Sequence, residues 1–406
     1  MSVLDRIPGN PGLSRRQFIK NVSAAGALSA LGVSPYSFAD TSENEIALPD
    51  YTGPNVIMIR FGGGVRRRET IDPEHTYSPF FCHDLVKRGT LFNRMEIDSF
   101  EGIETSHGQG TLYLLTGKYD KYKDVGDKFL GERFEAKVPT VFEYFRRMYR
   151  IPEHQTLIIN GEDRKDEEFF AFSNHNLYGV EFRSNVLSLY RFKTFLLRRQ
   201  LESGRFSGKE LEEKQKALAE MEALDYRTGG KDEQGQELIK FWERWRAFYG
   251  ETGLVNPRGD RLLTELTLRA IRELRAKLIM VNYNDPDYVH WGNMNHYTQG
   301  IAIIDQGIRQ IWDAVQADEA YRDNTVFVIV PDCGRDSNPF ANIPCQHHFN
   351  SRSAHEIFAL LVGPGVDRGK VVDRRVDQIS VAATVGSMMG FETPFAEGPA
   401  LEEAWA

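Results

Sequence analysis

The chain places metal-ligand residue types in three short stretches. They are Asn284-Asp285-Pro286-Asp287-Tyr288-Val289-His290, then Asp332-Cys333, then His347-His348 with His355 a little further on. Carboxylate, imidazole and thiolate all suit a Zn²⁺-type divalent ion. An ion held by such a set polarises an ester oxygen and brings the pKa of a bound water to about 7, which is hydrolytic chemistry. A fourth stretch, Thr105-Ser106-His107-Gly108-Gln109-Gly110, adds an imidazole and two hydroxyls ahead of an apolar run. His107 has two chemical readings: a neutral imidazole that ligates a metal and leaves water as nucleophile, or a covalent phosphoryl acceptor. Ser106 beside it is a candidate catalytic hydroxyl. Arg335 or Arg60 would neutralise an anionic ester. Singly, each histidine reads equally well as an ordinary hydrogen-bonded residue, and Asp332 as a turn cap. A site is implied only because these residues gather next to apolar strands.

Those strands are short and almost continuously apolar: 55–61 running into Gly62-Gly63-Gly64, then 91–97, 156–160, 278–283, 325–330 and 357–362. Between them, helices are predicted over 78–88, over 111–115 ending at Gly117, from Pro139 to Arg150, over 294–317 and over 377–389. The alternation predicts an α/β fold with a mostly parallel central sheet and helices on both faces. In such sheets ligands collect beyond the carboxyl ends of the strands, where most of the residues above fall. Residues 185–275 differ: they are charged and aromatic, at helical spacing, and include predicted helices over 209–224 and 237–249. They read as a helical insertion or cap that splits one metal-site domain into 40–184 and 276–406.

The N-terminus carries an address. Ser14-Arg15-Arg16-Gln17-Phe18-Ile19-Lys20 fits the twin-arginine pattern, a weakly apolar stretch runs from Val22 to Val33, and Ser37-Phe38-Ala39 is a small-x-small cleavage site. Residues 1–39 are therefore expected to be a signal segment. The working form would be periplasmic or extracellular, delivered by the twin-arginine export machinery, with no membrane span after cleavage. With 50 Lys and Arg against 58 Asp and Glu, the net charge of −8 offers no global basic field for a nucleic acid. Arg66-Arg67-Arg68 reads as a solvated loop or a local anion site. Three cysteines, Cys82, Cys333 and Cys345, make no disulfide framework, and a Cys333–Cys345 pairing stays open.

Several of these stretches, taken in order, resemble the alkaline phosphatase superfamily, which includes sulfatases and phosphodiesterases. Asp287-Tyr288-Val289-His290 followed by Tyr297 and Asp305 resembles its Asp…His element. Asp332-Cys333-Gly334 stands where that family has Asp-His-Gly. His347 or His348 followed by Gly363-Pro364-Gly365 resembles its late His element, and Leu114-Leu115-Thr116-Gly117 its Leu-Thr-Gly box. The resemblance covers most of 55–120 and 278–400. It implies an alkaline-phosphatase-like sandwich and one or two divalent ions, zinc by donor type. One ion would lie on Asp287 (or Asp285), His290 and His347 or His348, and a second on Asp332, Cys333 and His107.

The chain also departs from the family pattern. No acid ends the first strand, Cys333 replaces a histidine, and His107 stands at the position of the usual Ser, Thr or modified Cys nucleophile. These features resemble twin-arginine-exported members with a rebuilt site. The expected function is a metal-dependent hydrolase of a phosphate or sulfate ester. Its substrate would be a small anionic ester or a sulfated or phosphorylated glycan or lipid. The rival is a catalytically silent binding protein that keeps the fold and part of the metal site. A third reading makes Cys333 a redox or nucleophilic thiol, without a Cys-x-x-Cys to support it.

Overall fold

The computed structural model describes residues 48–100, 102–120, 123–124, 134–161, 175–223, 235–251, 259–291, 293–338, 345–347 and 351–405. Residues 1–47, which include the stretch read as a signal segment, and His348 lie outside the described residues.

Among the described residues, nine strands form the main sheet: β1 (Asn55–Arg60), β2 (Thr90–Glu96), β3 (Thr156–Asn160), β4 (Asn185–Leu187), β5 (Leu278–Asn282), β6 (Thr325–Val330), β7 (Glu356–Val362), β8 (Lys370–Val372) and β9 (Val376–Asp377). Their order is β8-β2-β7-β6-β1-β5-β3-β4, with β9 also on β2. All pairings are parallel except the two made by β7, which runs against β2 and β6. Arg60 pairs level with Asn282 and Val330, and Asn282 with Asn160, so four carboxyl ends finish on one edge. Because β7 is antiparallel, its start lies at that same edge. Residues leading into β7 therefore meet residues leaving the parallel strands.

Among the described residues there are eight helices of eight residues or more: α1 (His107–Thr116), α2 (Val141–Met148), α3 (Leu189–Glu202), α4 (Gly208–Ala223), α5 (Gln236–Tyr249), α6 (Asp260–Leu274), α7 (Met294–Ala317) and α8 (Ser380–Met389); all but α4, which packs on α3, contribute to the two layers that cover the sheet. Successive strand residues point to opposite faces, and both faces are buried. Ile57, Ile59, Ile159 and Val281 pack with Phe192, Trp242, Leu263 and Ile304 on one face. Val56, Met58, Ile158 and Met280 pack with Leu112, Phe142 and Val381 on the other. Each such side chain contributes roughly 1.5–3 kcal/mol by leaving water.

Three expectations are corrected. Residues 80–88 form a π-helical turn and a 3₁₀ turn rather than one helix. Helix α1 begins at His107, not Thr111, because Ser106 caps it. The block 185–275 contributes a strand as well as helices. Its first residues are β4, parallel to β3, and α3, α5 and α6 then seal a sheet face with Phe192, Phe195, Trp242, Trp245 and Leu266. Their apolar stripes are wide enough to serve as an ordinary layer of the domain. The run Arg66–Arg68 is likewise not a simple solvated loop. Arg66 pairs with Glu69 at 2.6 Å, and Arg67 donates to the carbonyls of Ile357 and Met95 at 2.8 Å each. No helix among the described residues is long and apolar enough to cross a membrane.

Candidate metal centre

The site is assembled at the shared strand edge. His107 is the first residue of α1, held there because the Ser106 hydroxyl accepts the Gln109 amide at 3.3 Å. A close approach fixes the helix against the next strand end: a side chain at Gly110 would meet the Asp332 carbonyl oxygen at 2.0 Å. Asp287 and His290 lie on the 3₁₀ stretch Asp285–Trp291 that follows β5. Gly63, at φ +79°, packs its Cα against the Asp287 amide, and any larger residue there would displace the loop. Asp332 and Cys333 follow β6, and His347 approaches on the segment before β7.

Four ligand-type atoms converge. Asp287 Oδ1 lies 2.9 Å from His107 Nε2, 2.8 Å from His290 Nε2 and 3.6 Å from His347 Nε2. His290 Nε2 and His347 Nε2 are 3.0 Å apart. Two of the imidazoles are oriented from behind. His107 Nδ1 lies 2.7 Å from Asp332 Oδ2, and His347 Nδ1 lies 2.8 Å from the Thr105 carbonyl oxygen. Both rings can thus keep a proton on Nδ1 and offer Nε2 inward once that nitrogen is deprotonated, which is how metal-ligating histidines are held. The donor set, three nitrogens and one carboxylate oxygen, matches that of a divalent transition ion such as Zn²⁺. A second group shares His107 and adds Asp332 and Cys333, whose Sγ is 3.9 Å from His107 Nδ1.

The electrostatics fit a site that wants a cation. Burial opposes a charge on His107, but Asp287 and Asp332 outweigh it and hold its pKa well above 6.5. Burial works against Asp287 and Asp332 too, yet the charge and hydrogen bond of His107 hold both well below the usual carboxylate range. Burial, followed by the charge of Asp332, pushes the Cys333 thiol up to about 11. It is therefore a protonated thiol at neutral pH, which removes the support for a nucleophilic Cys333. Cys333 and Cys345 are both free thiols, so they do not pair.

The other sequence candidates fall elsewhere. Asp285 turns away from the cluster: its carboxylate accepts the Asp260 amide at 3.2 Å. Arg335 is fully buried. It donates to the carbonyls of Gly64 (2.8 Å), Cys345 (2.5 Å) and Gly63, and to Asp287 Oδ1 at 3.0 Å, so it clamps the loops around the site. Arg60 is 1% exposed and lies behind Asp332. His355 is buried with Nδ1 3.1 Å from the Ile97 carbonyl, outside the cluster. Asp260 was not among the sequence candidates. As the first residue of α6 it accepts the amides of Asn284 (2.9 Å) and Asp285 (2.7 Å) and so shapes the loop that carries Asp287. Burial, and then the charge of Asp285, raise its pKa well above the ordinary carboxylate value. An acid at a helix start, 27 residues before Asp287 (287 minus 260), carries no local signal of that role.

Fold and site together define an alkaline-phosphatase-like α/β sandwich with a cluster that could hold a divalent metal. A family model described as Metalloenzyme superfamily matches residues 240–393, a span containing Asp287, His290, Asp332, Cys333 and His347. A 2,3-bisphosphoglycerate-independent phosphoglycerate mutase of Gracilaria tenuistipitata var. liui is 37% identical over 92 residues, which is 21% of this chain and only 16% of that relative. Among solved structures, a protein in the alkaline phosphatase superfamily from Vibrio parahaemolyticus superposes with a TM-score of 0.53 at 12% identity, over 97% of this chain and 80% of the other. A 2-O GAG sulfatase superposes with a TM-score of 0.52 at 12% identity, over 87% and 74%. These likenesses bear out the fold read from the sequence.

Proposed function

We propose that the protein is an exported, metal-dependent hydrolase of a phosphate or sulfate ester. The observation that carries this reading is the convergence of His107 Nε2, His290 Nε2 and His347 Nε2 on Asp287 Oδ1. A divalent ion there would supply Lewis acidity, polarising an ester oxygen and acidifying a water molecule. The protein's own residues do the rest. Asp287 and three imidazoles hold the ion, Asp332 and the Thr105 carbonyl fix the tautomers of His107 and His347, and Arg335 fixes Asp287. The nitrogen-rich donor set supports zinc over magnesium or calcium, which prefer all-oxygen shells. The substrate class is the one read from the sequence, a small anionic ester or a sulfated or phosphorylated glycan or lipid, and the 2-O GAG sulfatase among the structural neighbours supports its sulfated-glycan member. Export to the periplasm or beyond rests on Ser14-Arg15-Arg16-Gln17-Phe18-Ile19-Lys20 and the cleavage site after it.

One observation favours a silent binding protein. The hydroxyl beside the centre is already engaged, since Ser106 caps α1, and the start of the helix presents an imidazole in place of a nucleophile. The two readings separate on metal content and turnover. Mature protein purified without chelators, analysed by inductively coupled plasma mass spectrometry, is expected to carry a transition metal that His290→Ala loses. It is also expected to release chromophore from aryl phosphates or aryl sulfates in proportion to that metal. Bound metal without turnover on either class would leave the silent protein, and no metal after exposure to Zn²⁺ or Mn²⁺ would sink the metal site itself.

A further inference from the structure

Two groups of metal-capable side chains meet at His107. Its Nε2 faces Asp287, His290 and His347, and its Nδ1 faces Asp332 and Cys333. Whether both can hold an ion at once is a question of protons, ligands and charge. An imidazole that ligates through Nε2 keeps its remaining proton on Nδ1. Here that proton has an acceptor, Asp332 Oδ2 at 2.7 Å. With His107 assigned to the first group, the second retains, among the described residues, Asp332 and Cys333, two ligands where a divalent transition ion takes about four.

The carboxylate of Asp332 is also fully engaged. Its Oδ1 accepts the amides of Cys333 at 2.8 Å and Gly64 at 3.2 Å. Its Oδ2 lies 3.5 Å from Arg60 Nη1. Arg60 is the last residue of β1, and the fold holds its guanidinium in place. Nη1 donates to Thr111 Oγ1 at 2.8 Å and Nη2 to the Tyr283 carbonyl at 3.1 Å. Thr111 in turn donates to the His107 carbonyl at 2.6 Å, so Arg60 and the imidazole are set by the same helical turn. A guanidinium does not lose its proton in a protein. A divalent ion at Asp332 would lie against that permanent charge, in a place sealed from water where like charges repel strongly. Arg335 touches Asp287 as well. There, however, three imidazoles join the carboxylate, and the Asp287 side chain is 25% exposed, whereas those of Arg60 and Asp332 are at 0%.

We infer that the centre is built for one ion, and that the Arg60 guanidinium is its fixed second cation. Arg60 neutralises Asp332, and Asp332 is a positioning residue that holds the Nδ1–H of His107. This rests on the reading that His107, Asp287, His290 and His347 hold a divalent ion.

The test is stoichiometry and spectrum, not turnover. Metal-free full-length mature protein is titrated with Zn²⁺ by calorimetry and, separately, loaded with Co²⁺. One ion per chain is expected in the wild type and in Cys333→Ser, with no thiolate-to-metal charge-transfer band in the Co²⁺ protein. Two ions per chain, or that band, overturn the inference and leave the metal reading standing. No binding at all removes the metal reading, and this inference with it. Arg60→Gln, checked for folding by circular dichroism, is expected to bind the single ion about tenfold more tightly, because the opposing fixed charge is gone. Unchanged or weaker affinity in the folded variant overturns the role given to Arg60. If that variant does not fold, the wild-type stoichiometry decides.

Discussion

His107 Nδ1 lies 2.7 Å from Asp332 Oδ2, and this contact decides which way the imidazole acts. With its proton held by Asp332, the ring can offer only Nε2, and Nε2 points at Asp287 Oδ1 at 2.9 Å. The residue therefore stands as a ligand oriented from behind, and not as an acceptor open on both sides. Outer-shell carboxylates of this kind typically matter by 10–100-fold in metal affinity. Asp332→Asn is thus expected to weaken Zn²⁺ binding by about that factor while one ion is still bound, as read by competition with a chromogenic chelator. Loss of a bound ion with no change in the affinity of the remaining one would instead make Asp332 a ligand of a separate site.

Metal binding should depend on pH with a definite sign. In the metal-free cluster the two carboxylates hold the His107 pKa well above 6.5, so the ring carries a proton that the ion must displace. Affinity is expected to rise with pH until His107 is neutral. Calorimetry at pH 7 in two buffers of different ionisation enthalpy should show proton release on binding, and identical heats in both would refute it. The same cluster sets the stability of the metal-free protein. The raised His107 pKa gives a contribution that is complete below about 6.5 and fades as pH rises through the folded value. The depressed Asp287 and Asp332 values give one that is present above about 4 and fades on acidification. Metal-free protein is therefore expected to be most stable between those limits in urea melts at stepped pH.

Much of this centre was legible because its ligands sit beside apolar strands, and such runs announce themselves. Asp287, His290 and Asp332 were readable for that reason. His347 was readable by residue type, but it precedes a strand, and in an all-parallel sheet that would put it at the far edge. The antiparallel direction of β7 returns it to the site, and direction is a property of sheet pairing that a single strand's sequence does not carry. Arg335 misled for a related reason. An arginine after a strand resembles an anion binder, but its surroundings are carbonyls of the Gly63-Gly64 turn, and only the folded turn aims them at it. Asp285 and Asp287 were indistinguishable in sequence, and the contact that separates them comes from Asp260.

Asp260 gives a prediction of its own. Its buried carboxylate accepts two loop amides, so Asp260→Ala leaves the amides of Asn284 and Asp285 without that acceptor. Each stranded buried donor costs about 1–3 kcal/mol. The variant is expected to lose roughly that much stability per amide and to bind Zn²⁺ more weakly, because the loop carrying Asp287 and His290 loosens. Asp260→Asn keeps an acceptor and should lie between. Thermal melts with and without Zn²⁺ check both effects; a melt shift with unchanged affinity would mean that Asp260 supports α6 alone.

Ser106 separates a hydroxyl mechanism from one that uses water. Its side chain accepts the Gln109 amide and so caps the helix that presents His107. Ser106→Ala should therefore behave as a lost cap, costing about 0.5–2 kcal/mol of stability. Ser106→Asp, another good cap, should restore that stability. Metal-dependent release of chromophore from an aryl ester is expected to survive in Ser106→Ala within a few-fold, since the hydroxyl is committed to the helix. A loss of a hundredfold or more in kcat, with the fold and the bound ion intact, would instead make Ser106 the nucleophile. It would also make His107 the candidate for its general base.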